Sequence, residues 1–413
     1  MNGPLPPLSR PSSRPAPRPA SPSPLGVVLS GGGARGAYEA GVLSYVFGEL
    51  PASLGRTPPI DYVCGTSVGA VNGAFLAAVA DDPVTGVAHL GALWSEIRLG
   101  DVLDFGVRQA SRLYRVLTGS EKGETVGFFD ARPLAALVQR EVRWRRLVHN
   151  LRAGRLQALT LTTTHVATGR PTLWVDGAPG LAMPTRLPRN VEVRSGRVRV
   201  EHVLASAAIP VLFPPVAIGL DLHCDGGLRL NTPIAPAVHL GAERLLVIGM
   251  SSAIGAETPS LAPGQAPGAA FLLGKVLNAF LLDHVTTDLE ELARLNALID
   301  AGERAFGSDF MTRINGELLA NGEQPRKRLR ALAIRPSLDL GRLAGEHMRE
   351  DRSRVRRELG TTLLRLLDLG EGADADLASY LLFDGAYAAR LVELGRRDAA
   401  ARRDEIADFL FGA

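Results

Sequence analysis

The sequence predicts an α/β protein in which a mostly parallel β-sheet lies between two layers of helices. Along residues 25–250, short runs rich in branched apolar residues alternate with stretches that have the apolar spacing of helices. Buried strands separated by helices favour parallel pairing, with helices on both faces of the sheet. Glycine-rich turns follow the first two of these strands, at the sheet edge where parallel folds place functional loops.

The predicted elements follow from the local pattern. Strands are expected where apolar and β-branched residues cluster, and helices where apolar residues recur at helical spacing. Helices are predicted over residues 36–50 and 67–80, directly after the first two strands. The predicted strands cover residues 25–30, 60–65, 156–166, 172–177, 222–227 and 244–250, with 329–337 as a further candidate.

We divide the chain into four parts. Residues 1–24 contain nine prolines with Ser and Arg, a composition that predicts a disordered leader. Residues 25–250 form the predicted α/β core, 251–340 a helical extension with one candidate strand, and 341–413 a helical C-terminal region. Within the extension, the apolar stretch Phe271–Ile299 fits either a helix that packs on the core or a surface that meets lipid.

Composition excludes several classes of protein. The 413 residues are 46% hydrophobic and 22% charged, which is typical of a globular protein with a large core. Only two cysteines are present, Cys64 and Cys224, so a disulfide scaffold and a four-cysteine zinc site are excluded. No secretory signal opens the chain, and we therefore expect a cytoplasmic protein.

The charge pattern predicts no nucleic-acid partner. Arginine supplies 43 of the 46 basic residues, which are spread among 43 acidic residues without a basic stripe that alternates with aromatics. Two arginine clusters, Arg143–Arg146 and residues 186–200, are candidates for peripheral contact with an anionic membrane surface. A solvated protein face is the simpler interpretation of both clusters.

The turn after the first strand, Gly31–Gly36, fits the dinucleotide fingerprint G-x-G-x-x-G. That fingerprint also requires an acidic residue about 20 positions on, at the end of the second strand, to hold a ribose. The nearest acid, Asp61, begins its strand and so lies at the wrong end. The nucleotide interpretation therefore lacks its second support, and nucleotide binding by a regulatory protein is kept only as an alternative.

The turn after the second strand, Gly65–Gly69, fits the nucleophile-elbow pattern G-x-S-x-G around Ser67. Such a turn forces Ser67 into strained backbone angles and lifts its hydroxyl out of the sheet edge. Because the two turns follow neighbouring strands, N–H groups around Gly32 and Gly33 are expected to point at an oxyanion formed when Ser67 attacks a carbonyl.

A serine nucleophile needs a base, and two candidates stay open. Of the eight histidines only His223 lies near a strand end with promising neighbours, and it would belong to a Ser-His-Asp triad. Asp225 ends the same strand and is followed by Gly226 and Gly227, which suits a carboxylate that reaches Ser67 directly. An ordinary Asp-Gly turn gives the same pattern.

Four motifs resemble those of the patatin-like phospholipases in order and spacing, over about residues 25–250. They are Gly31–Gly36, Gly65–Gly69, Ala205–Pro210 and residues 225–227. The resemblance implies a three-layer α/β/α fold and a serine hydrolase of lipid acyl esters, such as phospholipids or lysophospholipids, that needs no cofactor and no metal. It implies that Ser67 is the nucleophile and Asp225 the base. The other site residues that it implies are the oxyanion-hole residues Gly31, Gly32, Gly33, Ala34, Arg35 and Gly36, the elbow residues Gly65, Thr66, Val68 and Gly69, and the pair Gly226 and Gly227. Asn231 fits the same pattern and is expected to brace the loop after Asp225.

Overall fold

A computed structural model of the chain describes residues 23–103, 129–183, 187, 190–252, 275, 276, 278, 284–323, 325–350 and 376–412. The predicted leader, residues 1–24, lies outside the described residues except for Ser23 and Pro24. Most of the first half of the apolar stretch Phe271–Ile299 also lies outside them.

The described strands form one sheet. Their bounds are β1 Leu25–Leu29, β2 Tyr62–Thr66, β3 Ala158–His165, β4 Pro171–Gly177, β5 Glu192–Ser195, β6 Val216–Ile218, β7 Asp221–Asp225, β8 Arg244–Ile248 and β9 Arg330–Ile334. The order across the sheet is β5-β4-β3-β2-β1-β8-β9, while β7 pairs with both β3 and β6. The five consecutive strands β3, β2, β1, β8 and β9 are all parallel, as the alternation of strands and helices predicts.

Helices cover both faces of this sheet. A 3-10 turn at Gly33–Arg35 leads into the first helix, which continues through a π-helical segment, Tyr45–Glu49. The described helices are α1 Gly36–Ser44, α2 Leu50–Leu54, α3 Val68–Ala78, α4 Pro83–Glu96, α5 Leu99–Val102, α6 Arg132–Glu141, α7 Trp144–Arg152, α8 Val200–Ser206, α9 Gly227–Leu230, α10 Ile234–His239, α11 His284–Phe306, α12 Phe310–Ala320, α13 Leu340–Glu350, α14 Asp376–Leu381, α15 Gly385–Ala400 and α16 Arg403–Phe411.

The side chains of β1 show why the fold has three layers. Val27 and Leu29 point into a large core that also contains residues of α1, α3, α4 and α15. Val28 points to the opposite face, into a smaller core with Ile234 and Ala237 of α10. Because successive side chains of a strand alternate between faces, a strand that is apolar on every position must be covered on both sides.

Two strands, β5 and β6, are not among the sequence predictions. β5 lies in the arginine-rich stretch 186–200 and is half-exposed, so its apolar signal is weak. β6 has only three residues, fewer than a sequence pattern can reveal. The candidate strand within residues 329–337 is confirmed as β9, which extends the parallel part of the sheet beyond β8.

β2 and β7 lie end to end along the same side of β3. The last paired residue of β2, Thr66, is opposite Thr162, and the last residue of β7, Asp225, is opposite Thr163. The other side of β3 is occupied by β4. Since β2 is parallel and β7 antiparallel to β3, their carboxyl ends face each other.

The helical C-terminal region packs against the start of the chain. α15 lies along α1 and α4, and the Tyr38 hydroxyl of α1 donates a hydrogen bond to Asp398 at 3.1 Å. α14 contacts the glycine-rich turn that precedes α1. In the described part of the chain, no helix is both long and apolar enough to cross a membrane.

Candidate active site

Ser67 occupies the strained turn that the G-x-S-x-G pattern predicts. Its backbone angles are φ 54° and ψ −123°, a region that residues with a side chain rarely adopt. A Cβ on Gly65 would overlap the carbonyl oxygen of Gly69, and one on Gly69 would overlap the carbonyl oxygen of Leu29. The two glycines therefore permit the close approach of strand and helix that fixes Ser67 at the end of β2.

The segment Ala205–Pro210 connects Ser67 to Asp225. The Ser206 hydroxyl accepts a hydrogen bond from the Ser67 N–H at 2.9 Å and donates one to the Thr162 carbonyl at 2.7 Å. Two residues later, the Ala208 carbonyl accepts a hydrogen bond from the Asp225 N–H at 2.9 Å. One short segment thus holds the backbones of both residues.

Asp225 is a buried carboxyl group beside Ser67. Its Oδ1 accepts a hydrogen bond from the Gly227 N–H at 2.7 Å, and its Oδ2 has no partner of hydrogen-bond geometry among the described residues. Burial raises the pKa of Asp225 to about 7, against the opposing effects of the Ser67 hydroxyl and the Gly227 N–H. The group is therefore a stronger base than an exposed aspartate.

The elbow is also tied to the loop that follows Asp225. The Thr66 hydroxyl donates a hydrogen bond to the Leu230 carbonyl at 2.9 Å. A Cβ on Gly226 would overlap the carbonyl oxygen of Thr162, so β7 can end against β3 only with glycine at that position. Val68, the elbow residue that follows Ser67, lines the cavity next to Ser67.

The turn Gly31–Gly36 lies beside the elbow, but its groups have different partners. The Gly31 N–H donates to the carboxamide oxygen of Asn231 at 3.1 Å, and the carboxamide nitrogen donates back to the Gly31 carbonyl at 3.4 Å. Asn231, in the segment that follows Asp225, therefore braces this turn and links it to that segment. Within the described residues, the N–H groups of Gly32 and Gly33 have no acceptor of hydrogen-bond geometry. Ala34 is buried in the core.

The Arg35 side chain is bound by residues of α14. Its side chain is 3% exposed, and its Nε donates to the Ser379 hydroxyl at 2.8 Å. The guanidinium lies 3.4 Å from the Asp376 carboxylate and 4.1 Å from the centre of the Tyr380 ring. The sequence places Arg35 among the oxyanion-hole residues, whereas its guanidinium is held by α14.

His223, the candidate base of a triad, is bonded elsewhere. Its Nδ1 lies 3.1 Å from the Thr163 hydroxyl, and its ring packs edge-on against His165 and Trp174. Burial lowers the pKa of His223 to about 4, so the ring is neutral near pH 7. The cysteines near the site are also neutral, because burial raises the pKa of Cys64 to about 12 and that of Cys224 to about 11.

An apolar cavity of about 230 Å³ opens beside Ser67. Helices α3, α4 and α6 form much of its wall, and acidic and basic side chains of α4, α5 and α6 lie on its border. The apolar side chains that line it include Val71, Phe75, Leu90, Leu93, Trp94, Leu134, Val138, Ile209, Phe213, Leu381 and Phe383. The cavity is suited to an apolar group.

A buried polar network adjoins this cavity. The Asn72 carboxamide donates to Glu39 at 2.9 Å and accepts a hydrogen bond from the Trp94 indole at 3.0 Å. Burial raises the pKa of Glu39 to about 8, although hydrogen bonds from Asn72 and the Ser30 backbone lower it. Glu39 is therefore mostly protonated near pH 7.

Sequence reasoning missed two sets of residues at the site. Ser206 was signalled only by its place in the segment Ala205–Pro210, with no role attached to its hydroxyl. Asp376, Ser379 and Tyr380 carry no motif, and no local pattern links them to a turn that lies more than 340 positions away.

Comparisons with known proteins agree with the motifs. A sequence model described as "Patatin-like phospholipase" matches residues 27–238, just over half of the chain. No curated protein sequence matches the chain.

Three solved structures are similar at low identity. They are VipD from Legionella pneumophila (14% identity, 76% of this chain and 61% of that chain, TM-score 0.31), human GIVD cytosolic phospholipase A2 in complex with methyl gamma-linolenyl fluorophosphonate (13%, 94% and 59%, 0.38), and the ExoU–SpcU complex from Pseudomonas aeruginosa (18%, 95% and 67%, 0.29). The chain spans about three fifths of the length of the first two.

Proposed function

The chain belongs to the patatin-like phospholipase family, and from that premise we propose that it hydrolyses acyl esters of lipids, with a phospholipid or lysophospholipid as substrate. The observation that carries the proposal is the meeting of Ser67 and Asp225 beside an apolar cavity. A strained serine, a buried carboxylate and two N–H groups for which the described residues offer no acceptor lie at one sheet edge, which is the set of groups that acyl transfer requires.

The proposed reaction has two halves. Ser67 Oγ attacks the ester carbonyl while Asp225 takes its proton, and the oxyanion accepts hydrogen bonds from the N–H groups of Gly32 and Gly33. Asp225 then gives the proton to the leaving alcohol, which leaves an acyl group on Ser67. In the second half, water attacks the acyl-enzyme, Asp225 takes a proton from that water, and Ser67 leaves with the proton as the free fatty acid departs.

The raised pKa of Asp225 supports its role as the base. An aspartate in water has a pKa near 4 and is a poor acceptor for a serine proton. Burial raises the pKa of Asp225 to about 7, which brings the group into the range where a general base is effective near neutral pH. Within the described part of the chain Oδ2 has no hydrogen-bond partner, which leaves one oxygen of the carboxylate able to accept the Ser67 proton.

The alternatives have less support. A triad would need His223 to bond Ser67, whereas the ring is bonded to Thr163 and has a pKa of about 4. A nucleotide phosphate would need the N–H groups of the glycine-rich turn, whereas Gly31 is bonded to Asn231 and Gly33 faces an apolar cavity.

Peripheral contact with an anionic membrane is part of the proposal. An open groove of about 650 Å³ is lined by Arg145 and Arg152 of α7 together with Arg197 and Arg199. Two clusters that are about 50 positions apart in sequence thus contribute to one concave, basic surface, which favours attraction to anionic head groups. Arg145→Glu/Arg197→Glu is expected to weaken sedimentation with vesicles that contain phosphatidylglycerol, and to leave unchanged any binding to pure phosphatidylcholine.

The catalytic proposal is tested by labelling and turnover in three proteins. Wild type, Ser67→Ala and Asp225→Asn are treated with a fluorophosphonate probe and assayed on a p-nitrophenyl ester and a phospholipid panel, with circular dichroism to verify folding. We expect Ser67→Ala to lose both label and turnover, and Asp225→Asn to lose at least about a hundredfold in turnover. Normal turnover by a folded Ser67→Ala protein would reject the proposal and make nucleotide binding the next test.

A further inference from the structure

The glycine-rich turn Gly31–Gly36 is in contact with a helix that lies outside the family match. The match ends at residue 238, whereas α14, Asp376–Leu381, contributes three contacts to Arg35. These are the Ser379 hydroxyl at 2.8 Å, the Asp376 carboxylate at 3.4 Å and the face of the Tyr380 ring at 4.1 Å. Together they surround a guanidinium that is almost completely buried.

The hydrogen bonds of Ser379 have a defined direction. Its hydroxyl donates to the Asp376 carbonyl at 2.6 Å within the helix, and so presents a lone pair to Arg35 Nε. The Asp376 carboxylate also accepts a hydrogen bond from Lys275 at 2.9 Å. A buried arginine without such partners would be strongly destabilising, so the position of Arg35 depends on α14.

The backbone of α14 also lies against the turn itself. Gly33 has φ +57°, and a Cβ at this position would overlap the Tyr380 carbonyl oxygen. The turn is thus enclosed between the elbow on one side and α14 on the other. Two separate observations, one of side chains and one of backbone, connect α14 to the residues whose N–H groups find no acceptor among the described residues.

We infer that α14 is a positioning element for the glycine-rich turn, acting through Arg35. The inference rests on the proposed function, in which the N–H groups of Gly32 and Gly33 bind the oxyanion. Arg35 does not touch the substrate in this arrangement. It fixes the turn to α14, so that the two N–H groups are held in place before the negative charge develops.

The test compares Ser379→Ala, Arg35→Ala and the double variant with wild type. The control is Glu350→Gln, which breaks an exposed ion pair with Arg390 at 2.8 Å in the same C-terminal region. The first readout is hydrogen exchange of the amides of residues 31–36, and the second is kcat and KM on the ester substrate.

We expect Ser379→Ala to speed amide exchange in the turn and to lower kcat about tenfold with KM changed less than twofold, because the acyl cavity is intact. The double variant should have a kcat no lower, and amide exchange no faster, than Arg35→Ala alone, since both changes break the same link. Arg35→Lys should restore only part of kcat, because an ammonium keeps the charge but not the geometry of the guanidinium.

Two results would overturn the inference: unchanged exchange in Ser379→Ala, or effects on kcat that simply add in the double variant. The exchange measurement does not need turnover, which separates this inference from the proposed function. If wild type shows no turnover and Ser379→Ala exchanges its turn amides faster than wild type, the link to α14 is supported while the hydrolase proposal fails. Unchanged exchange in an active enzyme rejects the link while the hydrolase proposal stands.

Discussion

The two glycine-rich turns at this sheet edge follow neighbouring strands, but they are held in place in different ways. The elbow around Ser67 depends on close backbone contacts of Gly65 and Gly69, which lie within five residues of each other and against Leu29. The turn Gly31–Gly36 depends on Asn231, 200 positions away, and on Ser379, 344 positions away.

This difference shows that a sequence motif can fix the conformation of one turn by itself, while a second turn needs residues from distant parts of the chain. The glycines of the elbow impose the conformation of Ser67 by sterics that act over a few residues. The glycines of the other turn only permit its conformation, which is then selected by distant partners. Four changes test this contrast, beginning with the one expected to have the largest effect.

Gly65→Ala is expected to be the most damaging substitution. The added Cβ would overlap the backbone of Gly69, which cannot move without displacing α3, so we expect a loss of about 3 kcal/mol or more in the free energy of unfolding. Urea denaturation measures the loss, and fluorophosphonate labelling measures the fate of Ser67. The control is Gly316→Ala on α12, where a Cβ meets nothing within 4 Å and the change should stabilise by roughly 0.5–1 kcal/mol. A stable, labelled Gly65→Ala protein would show that the elbow is not fixed by its glycines.

The pH dependence of turnover tests the strength of Asp225 as a base, a property that the local sequence of the elbow does not set. Asp225 must be ionised to accept a proton, and burial raises its pKa to about 7. We therefore expect kcat/KM to fall about tenfold per pH unit below 7 and to level off above it. The measurement is a profile from pH 5 to 8.5 over the range in which circular dichroism is constant. A profile that is flat down to pH 5 would mean that Asp225 titrates like an exposed carboxylate.

Asn231→Ala tests the distant support of the other turn. The change removes both side-chain hydrogen bonds to Gly31 and keeps the one from the Gly31 N–H to the backbone carbonyl of residue 231, so we expect kcat to fall roughly 10-fold to 100-fold as the N–H groups lose their alignment. The free energy of unfolding should fall by about 1–3 kcal/mol because Gly31 loses a buried partner. Asn321→Ala, which removes an exposed hydrogen bond to Glu317, is the matched control and should change stability by less than about 0.5 kcal/mol. Unchanged kcat in Asn231→Ala would remove Asn231 from the support of this turn.

Glu39→Gln should have the smallest effect on activity and a pH-dependent effect on stability. Because the pKa of Glu39 is raised to about 8 on folding, the native state holds its proton between about pH 4.5 and 8 while the unfolded state loses it. The free energy of unfolding should therefore fall by roughly 1 kcal/mol per pH unit across this window from Glu39 alone.

The glutamine variant lacks this slope, so its stability relative to wild type should rise from pH 5 to pH 9. Urea denaturation at several pH values measures the difference, in which other titrating groups cancel. Parallel stability curves for the two proteins would contradict the raised pKa of Glu39.

Much of the site is predictable from the sequence because it lies in turns. The strained angles of Ser67 follow from the pentapeptide, and the parallel pairing of β1 with β2 places the two turns side by side, as predicted. The position of Asp225 at the end of a strand was also predicted. The direction of that strand in the sheet was not, because it depends on pairing with β3, which lies far earlier in the chain.

The partners of the Arg35 side chain were not predicted, for a similar reason. A family motif places this residue next to the glycines, but a long side chain can turn toward either side of the turn. The residues that receive it, Asp376 and Ser379, have no sequence signal that relates them to Gly31–Gly36.

By itself, the sequence determined most strands and helices of the core, the two glycine-rich turns and the place of Ser67 in the second turn. These features are set by steric and hydrophobic preferences that act over a few residues. Only the tertiary structure decided that β7 meets β2 end to end, that α14 holds Arg35, and that Asp225 is buried enough to have a pKa of about 7. Strand direction, ion pairing and desolvation depend on which distant parts of the chain come together, and so they are settled only when the fold is complete.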